Sequence, residues 1–222
     1  MAPSPLKALI FDMDGTIVDN MRYHDAAWAA WYARHGIPFD AEVHFHSTAG
    51  RTTSETFASL KPGSTAADHA IWSAEKEALY HESYGPHVAE LSGLSALLDA
   101  ADAAHLKLAV ATAAPPVNIA FILDRLDLRR RFSAIASPSM GLRGKPHPDI
   151  FLKAAELHDV PPEACLVFED APLGVEAARR AGMRAVAVTT ILGPEAFLTY
   201  PNRIATISDF TGFDLSGLMD AG

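Results

Sequence analysis

The chain has 222 residues, with 18 lysines and arginines against 27 aspartates and glutamates and a net charge of −9. A chain of this length buries about 70% of its unfolded surface and needs no disulfide, so its single cysteine, Cys165 in "CLVFED", reads as a small buried hydrophobe rather than a reactive thiol. The acidic balance disfavours nonspecific binding to nucleic acid or membrane, and without a spanning apolar stretch or a basic, hydrophobic leader the expected location is the cytoplasm.

Taken in chain order, the first element is "ALIF" at 8–11, a continuous apolar run of the kind a parallel strand covered on both faces shows. It runs straight into Asp12 and Asp14, followed by Gly15 and Thr16. Acids are poor strand formers and costly to bury unpaired, so their place at the end of this run needs a reason. From 19 to 92 the character changes. "MRYHDAAWAAWYARHG", "TSETFASL" and "ADHAIWSAEKEALYHESYG" carry helical periodicity with no convincing strand, which predicts a helical insertion. Trp28 and Trp31, three apart, read as core packing.

The sheet pattern resumes near Leu94. "LKLAVAT" at 106–112, a short strand at "SAIAS", "CLVFED" at 165–170 and "AVAVTT" at 185–190 are separated by the helical patterns "NIAFILDRLDL", "HPDIFLKAAELHD" and "PLGVEAARRAG", the last closed by Gly182 as a C-cap. "RLDLRRRF", interrupted by Asp127, reads as a solvated helix end, and "FTGFDLSGLMDAG" is ambiguous between a short helix and a loose tail. This alternation predicts an α/β fold. A Rossmann-like, doubly wound parallel sheet spans 1–18 and 93–222, with an inserted α-helical domain at 19–92.

Open α/β sheets bind ligands outside the carboxyl ends of their strands, and the polar residues of these runs fall there: Asp12 and Asp14, Thr112, Glu169 and Asp170. Four carboxylates meeting at one edge repel unless a cation neutralises them, and oxygen ligands of this kind suit Mg²⁺. Lys145, in the loop "GKPHPD", can pair with an aspartate and hold a phosphate oxygen. An aspartate can attack phosphorus while a second carboxyl protonates the leaving oxygen and then activates water.

In this order "DMDGT", "ATAA", "GKPHPD" and "FEDAPLGVEAARRAGM" resemble the four motifs of the haloacid dehalogenase superfamily of phosphohydrolases. The resemblance implies an enzyme that hydrolyses a small phosphomonoester, a sugar phosphate, through an aspartyl-phosphate. It implies Asp12 as nucleophile, Asp14 as general acid and base and as a metal ligand through its backbone carbonyl, and Thr112 and Lys145 as phosphate holders. Asp12 and Asp170 become Mg²⁺ ligands supported by Glu169.

The insertion resembles the α-helical cap domain of the subgroup that contains β-phosphoglucomutase and sugar-phosphate phosphatases, which makes a phosphosugar mutase the alternative. Candidate substrate-binding residues there are His24, four after Asn20, Arg51 in the loop after Gly50, and Lys76, for which a solvated helix face competes. The arginine of the mutase aligns with Thr53 rather than Arg51, and no clear second anion site appears, so the hydrolase is preferred. A non-catalytic phosphate-binding protein is disfavoured because all four catalytic positions are present, and a dehalogenase because Asp14 is an acid. A monomer is expected, since no long heptad or apolar surface stripe appears.

Overall fold

The computed structural model describes residues 4–48 and 52–219. The chain divides into two compact units, one formed by the chain up to Asp19 and from Ala89 onward, the other by Asn20–Val88. The first unit is built on strands β1 (Ala8–Phe11), β2 (Lys107–Ala111), β3 (Ala134–Ala136), β4 (Cys165–Glu169), β5 (Arg184–Val188) and β6 (Arg203–Ile207). They form one parallel sheet in the order β3-β2-β1-β4-β5-β6. β1 and β4 are buried along their whole length, which is why their sequences are apolar up to the Glu169 that closes β4. Register sets Phe11 level with Val110 on one side and Phe168 on the other, so the ends of three strands line up. The edge strand β6, "RIATI", is only half covered and so lacks the continuous apolar run that marks the other strands. No helix among the described residues is long and apolar enough to cross a membrane.

The helical unit contains α1 (Met21–Arg34), α2 (Ala41–Thr48), α3 (Thr53–Leu60) and α4 (Ala66–Tyr84). α3 and α4 each start with a capping box, Thr52 with Glu55 and Thr65 with Asp68, in which side chains and backbone N–H groups satisfy one another. The core of this unit is aromatic. Trp31 lies against Phe57 at 4.8 Å and Trp72 at 5.9 Å, and Trp28 against Phe57 at 5.2 Å, so both tryptophans pack as their spacing implied. α2, "AEVHFHST", has no apolar stripe to announce it. It is tied down by His44, buried and within 3.0 Å of the Tyr32 hydroxyl.

In the first unit, α5 (Leu94–Ala103) packs on β2, α7 (Asp149–Leu157) on β1 to β3, and α8 (Pro172–Arg180) on β4 and β5; α6 (Pro116–Arg125) and the four-residue α9 (Ser216–Met219) complete it. On one sheet face Ile10 and Val167 meet Ile150, Phe151 and Val175. The alternate residues face the other way, where Phe11 stacks on Phe168 at 4.7 Å and meets the edges of Phe132 and Phe210. Cys165 is fully buried in β4, and burial pushes its thiol up to about 12, as an inert structural cysteine should be. The basic run is a charge-paired surface: Arg129 pairs with Asp124, Arg130 with Asp127, and Arg131 with Asp99 and Asp102.

Two expectations follow. Replacing Phe168 by Ala removes the ring on which Phe11 stacks and should lower stability by about 3–5 kcal/mol in urea unfolding. Burial, and then the charge of Lys76, hold His44 at about 4, below its ordinary 6.5. The unfolded chain therefore takes up that proton first, so the stability from a neutral His44 is complete above pH 6.5 and drains away as the pH falls toward about 4. Urea midpoints at pH 7.5, 6 and 5 should fall less steeply in His44→Gln than in the parent.

Candidate active site

The chain leaves β1 toward β2 and β3 and returns to β4 on the opposite side, so the carboxyl ends of β1 and β4 border the point where strand order reverses. Doubly wound sheets open a crevice there. Asp12 is the first residue after β1, and its N–H donates to the Phe168 carbonyl of β4 at 3.0 Å. Glu169 ends β4 and Asp170 follows it. Thr112, directly after β2, is buried at the same edge, where its hydroxyl accepts from the Ala114 N–H at 3.0 Å.

After Asp12 the chain turns tightly. Ile17 N–H donates to the Met13 carbonyl and Gly15 N–H to that of Val18, with Asp14 half-buried in the turn. Gly15 has φ +79°, and a Cβ there would stand 2.2 Å from Oδ2 of Asp170, so glycine is required by conformation and by space alike. Thr16 donates its hydroxyl to Oδ1 of the same carboxylate at 3.2 Å. The turn that carries Asp14 is thus also a wall for Asp170.

Lys145 reaches the site from the loop before α7, which Arg143 braces by a two-pronged pair with Asp149 at 2.7 Å. Its ammonium lies 2.5 Å from Oδ1 of Asp12 and 2.5 Å from Oε1 of Glu169. The other oxygen of Glu169 accepts from the Ala171 N–H at 3.0 Å. Burial would lower the pKa of Lys145, but the two carboxylates outweigh it and hold the ammonium firmly protonated. Burial, reinforced by Glu169 and Asp14 against the pull of Lys145, pushes Asp12 up to about 7. Asp170 is raised well above the ordinary carboxylate range by burial and then by Glu169 and Asp12.

Carboxylate oxygens of Asp12, Glu169 and Asp170 lie within 4.8 Å of one another, all three residues buried. Three acids against one ammonium cannot all ionise cheaply in a desolvated place, which is why Asp12 and Asp170 hold their protons to higher pH than an ordinary carboxyl. The donors are all hard oxygens, a set that fits Mg²⁺ and not a thiolate- or imidazole-seeking metal.

Of the sequence candidates, the structure brings Lys145 into direct contact with Asp12 and Glu169, gathers Asp170 within 4.8 Å of those two acids, and sets Asp14 and Thr112 at the same strand edge. In the helical unit His24 and Lys76 are joined to each other, Nζ to Nδ1 at 2.8 Å. Lys76 does not lie on a solvated face. It is 3% exposed, beside Glu77 at 3.2 Å and over the rings of Trp28 and Tyr80. Arg51 lies outside the described residues. Sequence reasoning assigned no role to Glu77, Thr16 or Gly174, or to Thr190, whose hydroxyl donates to the Gly15 carbonyl at 2.6 Å. Thr190 carried the same signal as Thr112, a hydroxyl at the end of an apolar run.

Residues 6–182 match the family model of haloacid dehalogenase-like hydrolases. A β-phosphoglucomutase of Bacillus subtilis (strain 168) is 35% identical over 192 residues, covering 82% of this chain and 83% of that protein. A fructose-1-phosphate phosphatase of Escherichia coli (strain K12) is 32% identical over 182 residues, covering 81% and 95%. Among solved structures, a β-phosphoglucomutase from Clostridium difficile superposes with a TM-score of 0.83 at 25% identity, over 97% of this chain and 96% of that one.

Gly174 offers a test of the site. Within α8, alanine is favoured over glycine by about 1 kcal/mol, yet a Cβ here would stand 1.7 Å from Oε1 of Glu169. That carboxylate is held by Lys145 and Ala171 and cannot yield without releasing them. Gly174→Ala should therefore cost about 10–100-fold in kcat with the chain still folded, measured by turnover beside thermal unfolding.

Proposed function

The chain belongs to the haloacid dehalogenase-like hydrolase family, and from that premise we propose that it is a Mg²⁺-dependent phosphatase that hydrolyses a small phosphomonoester, a sugar phosphate, through an aspartyl-phosphate. The observation that carries this reading is the buried cluster in which Lys145 bridges Asp12 and Glu169 while Asp170 completes a three-carboxylate donor set. Asp12, Glu169 and Asp170 would hold the ion, together with the backbone carbonyl of Asp14. When bound, Mg²⁺ offsets the repulsion between an anionic nucleophile and an anionic phosphate.

The chain's own groups do the rest. A carboxylate oxygen of Asp12 bonds to phosphorus as the ester P–O bond breaks, and Asp14 gives its proton to the departing alcohol oxygen. Asp14, now a carboxylate, takes a proton from water as that water attacks phosphorus. The acyl-phosphate bond breaks, returning Asp12 as a carboxylate and releasing inorganic phosphate. Lys145 and Thr112 hold phosphoryl oxygens, and the ammonium also aims Asp12.

His24, Lys76 and Arg51 are the proposed selectivity residues of the helical unit. Similarity to named phosphatases and to a named mutase supports either outcome for the aspartyl-phosphate. Hydrolysis is favoured because a mutase must suppress water attack and hold a second phosphate, and the sequence shows no clear second anion site.

Phosphate release from a panel of sugar phosphates, with and without Mg²⁺, is the test, run beside isomerisation of β-glucose 1-phosphate with a trace of bisphosphate. Mg²⁺-dependent release that disappears in Asp12→Asn, with the fold unchanged by circular dichroism, is expected. Isomerisation without net phosphate release, or full activity in Asp12→Asn, would overturn the reading.

A further inference from the structure

We propose that Thr190 is a positioning residue for the carboxylate cluster, holding the turn after β1 against Asp170 so that the aspartates keep the spacing a small cation demands. The inference rests on the metal reading above. Three observations link Thr190 to Asp170. The Thr190 hydroxyl donates to the Gly15 carbonyl at 2.6 Å, at the short end of the normal O–H···O range. Gly15 abuts Asp170 so closely that a Cβ would meet Oδ2 at 2.2 Å. Thr16, the next residue, donates to Oδ1 of that carboxylate at 3.2 Å.

Both oxygens of Asp170 are therefore bounded by one two-residue segment, and the peptide joining those residues contains the carbonyl that Thr190 holds. Inside the turn Gly15 is fixed by its N–H to the Val18 carbonyl. The hold from outside comes from the end of β5, the strand next to β4.

Thr190 is itself on anchored backbone. The neighbouring Thr189 donates both its N–H, at 2.8 Å, and its hydroxyl, at 3.2 Å, to the Ile207 carbonyl of β6. Being β-branched, Thr190 has few χ1 choices, so its hydroxyl is aimed at little entropic cost. Without that hydroxyl the Gly15–Thr16 peptide loses its hold from β5 and keeps the long bond of its Thr16 N–H to the Met13 carbonyl, 3.3 Å, so the Thr16 bond and the wall beside Asp170 shift together. Mg²⁺ and Mn²⁺ require oxygen ligands in tight octahedral arrangement, so a shift of a few tenths of an ångström in one carboxylate is felt as lost affinity.

The probe is Mn²⁺ binding, followed by electron paramagnetic resonance and titration calorimetry, on the full chain and its Thr190→Val, Thr190→Ser and Asp170→Asn variants. A Mn²⁺ site in the parent that Asp170→Asn removes establishes the metal reading independently of Thr190. Thr190→Val, which keeps the shape and loses the hydroxyl, should then bind Mn²⁺ about tenfold more weakly, with a matching rise in the Mg²⁺ concentration needed for half-maximal turnover. Thr190→Ser should restore both, and substrate KM at saturating Mg²⁺ should stay at the parent value. Parent-like Mn²⁺ affinity in Thr190→Val overturns the inference while leaving the metal reading intact. Equal weakening in the valine and serine variants, with a lowered thermal midpoint, also overturns it, since that marks packing rather than the hydroxyl. A parent without a Mn²⁺ site overturns the metal reading, and the positioning role falls with it.

Discussion

The ammonium of Lys145 between Asp12 and Glu169 is the contact on which the rest of the first unit depends. Three acids converge where water is excluded, and each would be neutralised or expelled without a compensating charge. Removing one partner of such a buried pair leaves an uncompensated charge, which costs about 3–5 kcal/mol. The lysine bonds two of the carboxylates, Asp12 and Glu169, and Asp170 is answered by the Thr16 hydroxyl, so one ammonium stands against three acids. That excess of buried acid is what the proposed Mg²⁺ would offset.

The fold exists around that arrangement in a specific sense. Strand order places β1 between β2 and β4, and parallel register brings Asp12 and Glu169 level, so two carboxylates from residues far apart in sequence meet one ammonium. Helices cover the strands, and the apolar residues between them are buried. Two glycines then act as surfaces rather than hinges. Gly15 and Gly174 stand where side chains of Asp170 and Glu169 need the room, one in a turn and one in a helix. The acids are confined from several sides by backbone, which is the least adaptable material a site can be built from.

The helical unit solves a different problem with similar means. It buries Lys76 by giving it His24, Glu77 and two aromatic faces, so that a charged residue survives within an aromatic core. Substitution of either His24 or Lys76 must therefore disturb the other, and loss of function on changing one of them speaks to the pair.

Much of this was legible in the amino-acid order. Strands buried on both faces must be continuously apolar, so β1, β2, β4 and β5 announced themselves, and the acids and hydroxyls that interrupt those runs at their carboxyl ends marked the site. Helices α3 and α4 were visible because their periodicity is a local property, whereas their capping boxes came to light only in the structure. The sheet edge β6 and the short α2 were not, because a half-exposed strand and an eight-residue helix without an apolar stripe carry no local pattern. Burial of Lys76 was equally invisible, since a charged residue on a charge-rich helix reads as solvated until its neighbours in space are known. Thr190 shows the division most plainly: its residue type and place at a strand end were in the sequence, but its partner, the Gly15 carbonyl, lies 175 residues away. The sequence alone determined which chemical groups the protein carries and at which end of each strand they stand, because those depend on periodicity along the chain. Only the tertiary structure decided which groups share charge and hold one another in place, because electrostatic coupling and steric confinement depend on distance in space.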